Sequence, residues 1–511
     1  MMKTLKVYLE KLQEAGLVTA YHIEKHEETE IKGLTFYSKE AEPDSIFVCK
    51  GANFRVDYLK EAQRLGSVCY VSEKEYVLEE KVSYIIVRDI RNAMPLLAEV
   101  FYRTRDLSLS VTGITGTKGK TTTAYYLKAI LDAWNRKRGE KATGLLSSVE
   151  NYDGKRVQQS SLTTPEAIEL HGFFRNCEDE GLSHLTMEVS SQALKYKRVW
   201  GLEFQVGVFM NIAEDHISPN EHEDFDDYFT SKLSIFKQTG TACVNLDCAE
   251  RERVLKAARL AKNVVTFGTT GAPDIWGHDI EMSNGRVSFW VRCDRFHEKF
   301  YLRMKGIFNV ENALAAIAAA YAYGIPVEYM KEGLVGVQVK GRMEQFESKD
   351  KKLVAIVDYA HNRLSFEKLY DSVFMEYPDY RVVTVFGCPG NKALNRRRDL
   401  GLIAGLFSNE VYVTTDDPGT ESVAKISGEI RHYVEMVGCR CNCIEDRALA
   451  ISRAVQDAGE KTVILVLGKG NEGRQRFEEG VITCATDAEL VRESLRCYDR
   501  RIIHQKVMGC M

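Results

Sequence analysis

Short runs of β-branched and aromatic residues alternate, along almost the whole chain, with stretches whose apolar positions recur every three to four residues. SIFVCKG, FRVDYLKEAQRLG and SVCYVSE read in turn as strand, helix and strand. This alternation predicts an α/β fold rich in parallel sheet. An apolar helix over Met94–Tyr102 gives way near Leu109 to a new strand, LSVTGITG. Much later comes the helix ENALAAIAAAYAYG, with Gly324 and Pro326 supplying its stop. After GRMEQFE, the strands KLVAIVDYA, RVVTVFG, NEVYVTT and TVILVLG are separated by helices. They predict a doubly wound sheet whose ligand crevice lies at the carboxyl ends of its strands. Three regions follow, 1–108, 109–340 and 341–511, as expected of 511 residues at roughly 150 per domain.

Composition narrows the possible functions. Lys and Arg number 69 against 73 Asp and Glu, a net charge of −4, and no aromatic-basic tract occurs, so no nucleic-acid partner is expected. No run of about 18 apolar residues is present, and Lys11 and Glu14 interrupt the first apolar stretch, which argues against a signal segment or membrane insertion. Thirteen scattered cysteines fit a reducing, cytoplasmic setting. Cys439, Cys441 and Cys443 share one strand face and, with no second ligand pair nearby, read as small buried apolar residues.

The sharpest chemical signal is SVTGITGTKGKTTTAYYLKAIL, residues 110–131. A strand ends in a turn holding Gly113, Gly116 and Gly119, and Lys120, Thr121 and Thr122 then open a helix. Backbone N–H groups of Gly116, Thr117, Lys118 and Gly119 and of the helix N-terminus can converge on phosphate oxygens; Lys120 adds a point charge and Thr121 a hydroxyl for Mg²⁺. The spacing is TGTxGKT and not GxxxxGK[ST], because Ile114 stands five before Gly119. ATP or GTP binding is the prediction. By itself it does not separate motors, switches, kinases and ligases.

Further motifs do. SLTTPEAIEL (161–170), TMEVSSQALKYKRV (186–199), FMNIAEDHIS (209–218), DYFTSKLSIF (227–236), GIFNVENALAA (306–316), GRME (341–344), DYAH (358–361), TTDDPGTE (414–421) and GKGNE (468–472) follow in order. Together with TGTKGKT they resemble the Mur ligases of peptidoglycan synthesis, most closely those that add the third amino acid to UDP-N-acetylmuramoyl-L-alanyl-D-glutamate. The resemblance spans nearly the whole chain. It implies an N-terminal domain for the uridine nucleotide, a central P-loop ATPase domain and a Rossmann-like C-terminal domain. It also implies ATP-dependent formation of an acyl phosphate on the D-glutamate side chain, followed by attack of an amine.

The resemblance further implies site residues. Lys120 and Thr121 would serve the phosphates and one Mg²⁺, and Glu188 and His216 a second. Glu188 closes the apolar strand SHLTMEV, where a carboxylate needs a cation. Lys232 matches a lysine that the family carbamylates with CO₂, giving N6-carboxylysine. Asn309, Asn312, Arg342, Asp358, Tyr359 and His361 would hold the nucleotide. Ser38, Thr163, Thr164, Ser190 and Arg198 would hold the muramoyl dipeptide. Three positions depart from the family pattern: Gln192 and Asn471 stand where histidines are usual, and YSK at 37–39 where DSR is usual.

For the incoming amino acid the resemblance points to Lys392, Asp416, Asp417, Glu421, Gly468 and Glu472. Diaminopimelate-adding members carry DNPR, whose arginine pairs with the distal carboxylate. Here Gly419 takes the arginine's place, while Asp417 and Glu421 suit an ammonium group, so L-lysine is the first expectation. Diaminopimelate remains open through Lys392, and ornithine, one methylene shorter, differs by only about 1–3 kcal/mol in an apolar slot. A monomer is expected. Two rival readings are a folate polyglutamate synthase, which lacks the uridine-binding region, and a nucleotide-binding regulator that has lost catalysis.

Overall fold

The computed structural model describes residues 3–23, 27–51, 54–78, 81–218, 221–283, 286–459 and 461–508. Three large sheets follow one another along the chain, with a small two-stranded one, Arg474–Phe477 and Gly480–Thr483, after the third, and the class is mixed α/β with parallel-rich sheets as expected.

The first sheet has five strands in the spatial order Val18–His22, Ser83–Val87, Ser67–Ser72, Ser45–Val48 and Gly33–Thr35, and only the Val18–His22 edge is antiparallel. Helix Ile90–Tyr102 packs on it, and the Asp89 side chain caps that helix by accepting from the N–H groups of Arg91 and Asn92.

The central sheet has eleven strands. Its parallel heart runs Asn263–Gly268, Thr239–Asn245, Phe204–Phe209, Ser110–Thr115, His184–Glu188 and Gly144–Leu146, and antiparallel strands extend both edges. Helix Lys120–Arg138 begins at Gly119 (φ +88°) and ends at Gly139 (φ +71°), with Arg136, Lys137 and Arg138 in its last turn facing the negative end of the helix dipole. Helix Phe308–Ala322 is buried nearly all round, and that is why its sequence is alanine-rich without a polar stripe.

The third sheet runs Glu344–Glu347, Leu353–Asp358, Thr462–Leu467, Arg381–Phe386, Glu410–Val413 and Arg440–Cys443. The doubly wound order is as read from the sequence, except that Glu344–Glu347 adds an antiparallel edge. Apolar clusters cover both of its faces. The cysteine expectation needs correction: Cys441 is buried, but Cys443 is exposed, because Arg440–Cys443 is the outermost strand. Among the described residues no helix is long and apolar enough to cross a membrane.

Candidate active site

The carboxyl ends of the central and C-terminal parallel strands face each other across a cavity of about 200 Å³. One wall is the turn after Ser110–Thr115 together with Glu188 and His216; the other is Arg342, Asp358, Tyr359 and His361, and Thr163, Asn309 and Asn312 also line it. Residues separated by more than 200 positions thus meet at a crevice of the kind parallel sheets provide.

Glycine is required in the turn for a steric reason. A Cβ on Gly119 would stand 2.2 Å from Asn312 Oδ1, and one on Gly116 would stand 2.7 Å from the Met210 Cβ. Lys120 Nζ donates to the carbonyls of Gly116 (2.9 Å) and Thr117 (3.2 Å). Lys232 Nζ, on helix Phe225–Leu233, donates to the same Gly116 carbonyl at 2.9 Å. Lys232 is buried, and desolvation, reinforced by Lys120, drives its pKa well below the usual lysine value. Burial likewise lowers Lys118, to about 7. The Thr117 hydroxyl pairs with Tyr228 Oη at 3.0 Å, and Thr122 is buried at the start of the helix.

Arg342 crosses from the C-terminal side to donate to Thr121 Oγ1 at 3.1 Å. Asp358 is held by the N–H groups of Met343 (2.8 Å) and Ala360 (2.7 Å). Burial raises its pKa. The Arg342 guanidinium lies 4.3 Å over the Tyr359 ring, and Tyr359 donates to Glu472 at 3.0 Å. His361 Nε2 sits 3.2 Å from Lys118 Nζ, and Asn312 donates to Asn309 Oδ1 at 2.9 Å.

The donor set suits Mg²⁺. Glu188 is buried and accepts from the Ser148 N–H at 2.7 Å; the Thr121 hydroxyl pairs with Ser148 Oγ at 3.0 Å, and His216 Nδ1 pairs with Glu221 at 2.8 Å. Among the described residues no three His, Cys, Asp or Glu side chains are placed to hold a metal ion by themselves. Such an incomplete cage fits an ion that keeps waters and takes substrate phosphates as ligands.

A second cleft, of about 1030 Å³, opens between the first and central sheets and holds Lys50, Phe54, Lys74, Arg91, Tyr196 and Arg198 among its lining. Glu166 bridges its cations, meeting Lys50 at 2.6 Å and Arg198 at 2.9 Å. Arg198 also donates to the Thr164 carbonyl at 3.2 Å, while Thr164 Oγ1 donates to the Glu188 carbonyl at 2.9 Å. Ser190 caps helix Ser191–Lys195. Ser38 donates to Glu61 at 2.6 Å and stands outside the cleft lining. Sequence reading missed Lys50 and Arg91, although Lys50 lies near the carboxyl end of the run SIFVCKG, read as a strand.

In the C-terminal sheet, Asp416 is buried and its pKa is pushed up to about 6 by desolvation. Lys469 pairs with Asp417 and with Glu472, each at 2.8 Å. A Cβ on Gly468 would stand 3.0 Å from Asp416 Oδ2. Lys392 is exposed. Glu421 differs from expectation: Arg397 takes both its oxygens, at 2.9 and 2.6 Å, and Lys425 and the Asn391 N–H approach it too. A carboxylate so neutralised has little attraction left for an incoming ammonium, and Arg397 holds its pKa down at about 2.

Comparisons with known proteins identify the family. Residues 114–320 match the Mur ligase middle domain, and residues 341–470 the Mur ligase glutamate ligase domain. A UDP-N-acetylmuramyl-tripeptide synthetase of Lactobacillus acidophilus is 34% identical, covering 91% of this chain and 92% of its own. The UDP-N-acetylmuramoyl-L-alanyl-D-glutamate–L-lysine ligase of Enterococcus faecalis is 36% identical over 88% of each chain. The corresponding 2,6-diaminopimelate ligase of Caldanaerobacter subterraneus is 32% identical over 93% of this chain and 97% of its own. A solved UDP-N-acetylmuramoyl-L-alanyl-D-glutamate–2,6-diaminopimelate ligase superposes with a TM-score of 0.63 at 21% identity, covering 98% of this chain and 99% of that one. The chain belongs to the Mur ligase family. It is an enzyme, an ATP-dependent ligase.

Proposed function

We propose that this ligase joins L-lysine to the D-glutamate side-chain carboxylate of UDP-N-acetylmuramoyl-L-alanyl-D-glutamate, a cytoplasmic step of peptidoglycan synthesis carried out by a monomer. The observation that carries the reading is the Thr163–Thr164 junction. Thr163 lines the nucleotide cavity, while the carbonyl of Thr164 accepts from Arg198 in the cationic cleft. A substrate whose phosphates and carboxylate occupy the cleft therefore has its acceptor end beside the phosphate loop. The regions 1–108, 109–340 and 341–511 would serve the uridine nucleotide, ATP and the amino acid.

In this reading Gly116, Thr117, Lys118, Gly119, Lys120 and Thr122 hold the triphosphate, Asn309, Asn312, Asp358, Tyr359 and His361 the nucleoside, and Arg342 the migrating phosphoryl group. Thr121, Glu188 and His216 would bind Mg²⁺, which neutralises phosphate charge. Lys232 supports carbamylation: burial lowers the pKa of this amine well below the usual lysine value and so favours the neutral form that adds CO₂, and the product would set an anion beside Lys120 at the Gly116 carbonyl. Arg198, with Lys50 beside it, would orient the acceptor carboxylate. The γ-phosphoryl group passes to that carboxylate, the amine attacks the acyl phosphate, and phosphate leaves.

L-Lysine is favoured because Gly419 supplies no cation, whereas Asp416 and Asp417 supply negative charge beside Gly468 and Glu472. Exposed Lys392 supports diaminopimelate as the second reading. Phosphate release from ATP and Mg²⁺ with the muramoyl dipeptide, run in parallel with L-lysine, meso-diaminopimelate and L-ornithine, tests the assignment. Lysine-dependent release is expected; a preference for diaminopimelate transfers the distal contact to Lys392, and no release with any amine overturns the acceptor.

A further inference from the structure

The outer antiparallel edge of the central sheet, strands Ile275–Ser283, Arg286–Arg292 and His297–Leu302, carries chemistry that the ligase reaction does not use. His278 lies on the first of these strands and His297 on the third, and the two reach over the middle strand until their Nε2 atoms are 3.1 Å apart. The ladder breaks register between His278 and Glu281, and Asp279 there has φ +48°. A bulge of this kind re-aims neighbouring side chains. Here it brings Asp279 Oδ2 to 3.1 Å from His278 Nδ1. A carboxylate thus stands beside Nδ1 of His278, and its Nε2 faces that of His297. Trp276 stacks on His278 at 4.4 Å between ring centroids, and Trp290 lies 5.0 Å from His297. These packed indoles restrain both imidazoles.

We propose that His278 and His297 form a surface site for an imidazole-preferring divalent transition-metal ion, Cu²⁺, Ni²⁺ or Zn²⁺, separate from the nucleotide cavity. Two bonds of about 2.0–2.1 Å set the nitrogens about 2.9 Å apart at a right angle and about 3.3 Å apart at the tetrahedral angle. The 3.1 Å separation falls between these values, so the ion can enter without moving the backbone. The Asp279 carboxylate, 3.1 Å from His278 Nδ1, is placed to favour the proton on Nδ1 and so strengthen Nε2 as a metal ligand. Metal binding would place the His297 proton on Nδ1 and free its Nε2. No third His, Cys, Asp or Glu converges among the described residues, so water or an outside ligand completes the shell. Neither histidine lines the nucleotide cavity, whose oxygen donors suit a hard cation instead.

The test uses the untagged full chain, stripped with a chelator and titrated with CuCl₂ while tryptophan emission is followed. Trp276 and Trp290 are two of the four tryptophans, so a bound Cu²⁺ quenches a defined share of the signal. Saturation at one ion per chain is expected, with displacement by Zn²⁺. His297→Ala should weaken binding at least tenfold, and Asp279→Asn by about 10–100-fold through the lost support of His278. Both variants should keep wild-type Mg²⁺-dependent ligase activity and melting temperature. Should His297→Ala disturb folding, His278→Asn and Asp279→Asn decide. Titration curves that coincide for wild type and variants, or no saturable quenching, would overturn the site and leave the 3.1 Å contact as a hydrogen bond alone.

Discussion

Arg396 Nη2 donates to Asp215 Oδ1 at 2.5 Å, joining helix Asn395–Phe407 of the C-terminal sheet to the loop that follows the central strand Phe204–Phe209. Asn362 donates to the other oxygen of Asp215 at 2.6 Å, and Lys118 of the phosphate loop lies 4.0 Å away. Burial opposes ionisation of Asp215, but Arg396, His216 and Lys118 together outweigh it and hold its carboxyl well below the usual range. A buried anion thus ties the C-terminal wall of the cavity to the phosphate loop. Arg396→Ala leaves that anion short of its nearest cation, and a loss of about 2–5 kcal/mol at a buried charge pair predicts a fall in kcat/KM of roughly 30-fold or more. Small-angle scattering should then show a larger radius of gyration, with both sheets intact by circular dichroism.

Lys120→Ala is expected to abolish phosphate release, because it removes the ammonium held on the Gly116 and Thr117 carbonyls at the head of the helix. Lys232→Ala should also be inactive, with partial recovery in millimolar formate or acetate. Full activity in either variant would remove that residue from the mechanism.

Asp416 gives a pH dependence with a definite sign. Its pKa of about 6 lies above the ordinary 3.8. If its carboxylate attracts the ammonium of the amino acid, KM for that substrate rises as pH falls through about 6, and Asp416→Asn flattens the profile. Stability runs the other way. A raised carboxyl pKa favours folding fully below the ordinary value, and that contribution is lost as pH rises through about 6. Asp416→Asn should therefore raise the melting temperature more at pH 8 than at pH 5.

Gly419 offers a specificity test. Its φ of +58° strains any side chain by about 1–2 kcal/mol, yet nothing lies within 4 Å of an added Cβ. Gly419→Arg should fold with a slightly lower melting temperature and shift the ratio of kcat/KM towards meso-diaminopimelate over L-lysine. An unchanged ratio would mean that this position does not read the distal group.

How far the sequence reached follows from how local each feature is. The phosphate turn is written in one continuous segment, since strand, glycines, Lys120 and helix follow without a break. The parallel strands likewise announce themselves as short apolar runs. The pairing of Glu421 with Arg397 was not legible, because it depends on how two helix ends are placed 24 positions apart. Nor was the cationic cleft, whose Lys50 and Arg198 come from different sheets and meet only through Glu166. The antiparallel strand Glu344–Glu347 escaped notice because alternation within EQFE is too short to read. Exposure of Cys443 depends on strand order, which spacing does not encode.

Glu166 has a consequence for how the acceptor substrate arrives. With Lys50 and Arg198 sharing one internal carboxylate, the trio carries one net positive charge instead of two, and the cleft is not a bare cationic sink. An incoming phosphate or carboxylate has to compete with a tethered counter-ion, so association is an exchange of anions, and its free energy is a difference between two ionic contacts. In the proposed reading small mobile anions, inorganic phosphate among them, face the same tethered competitor.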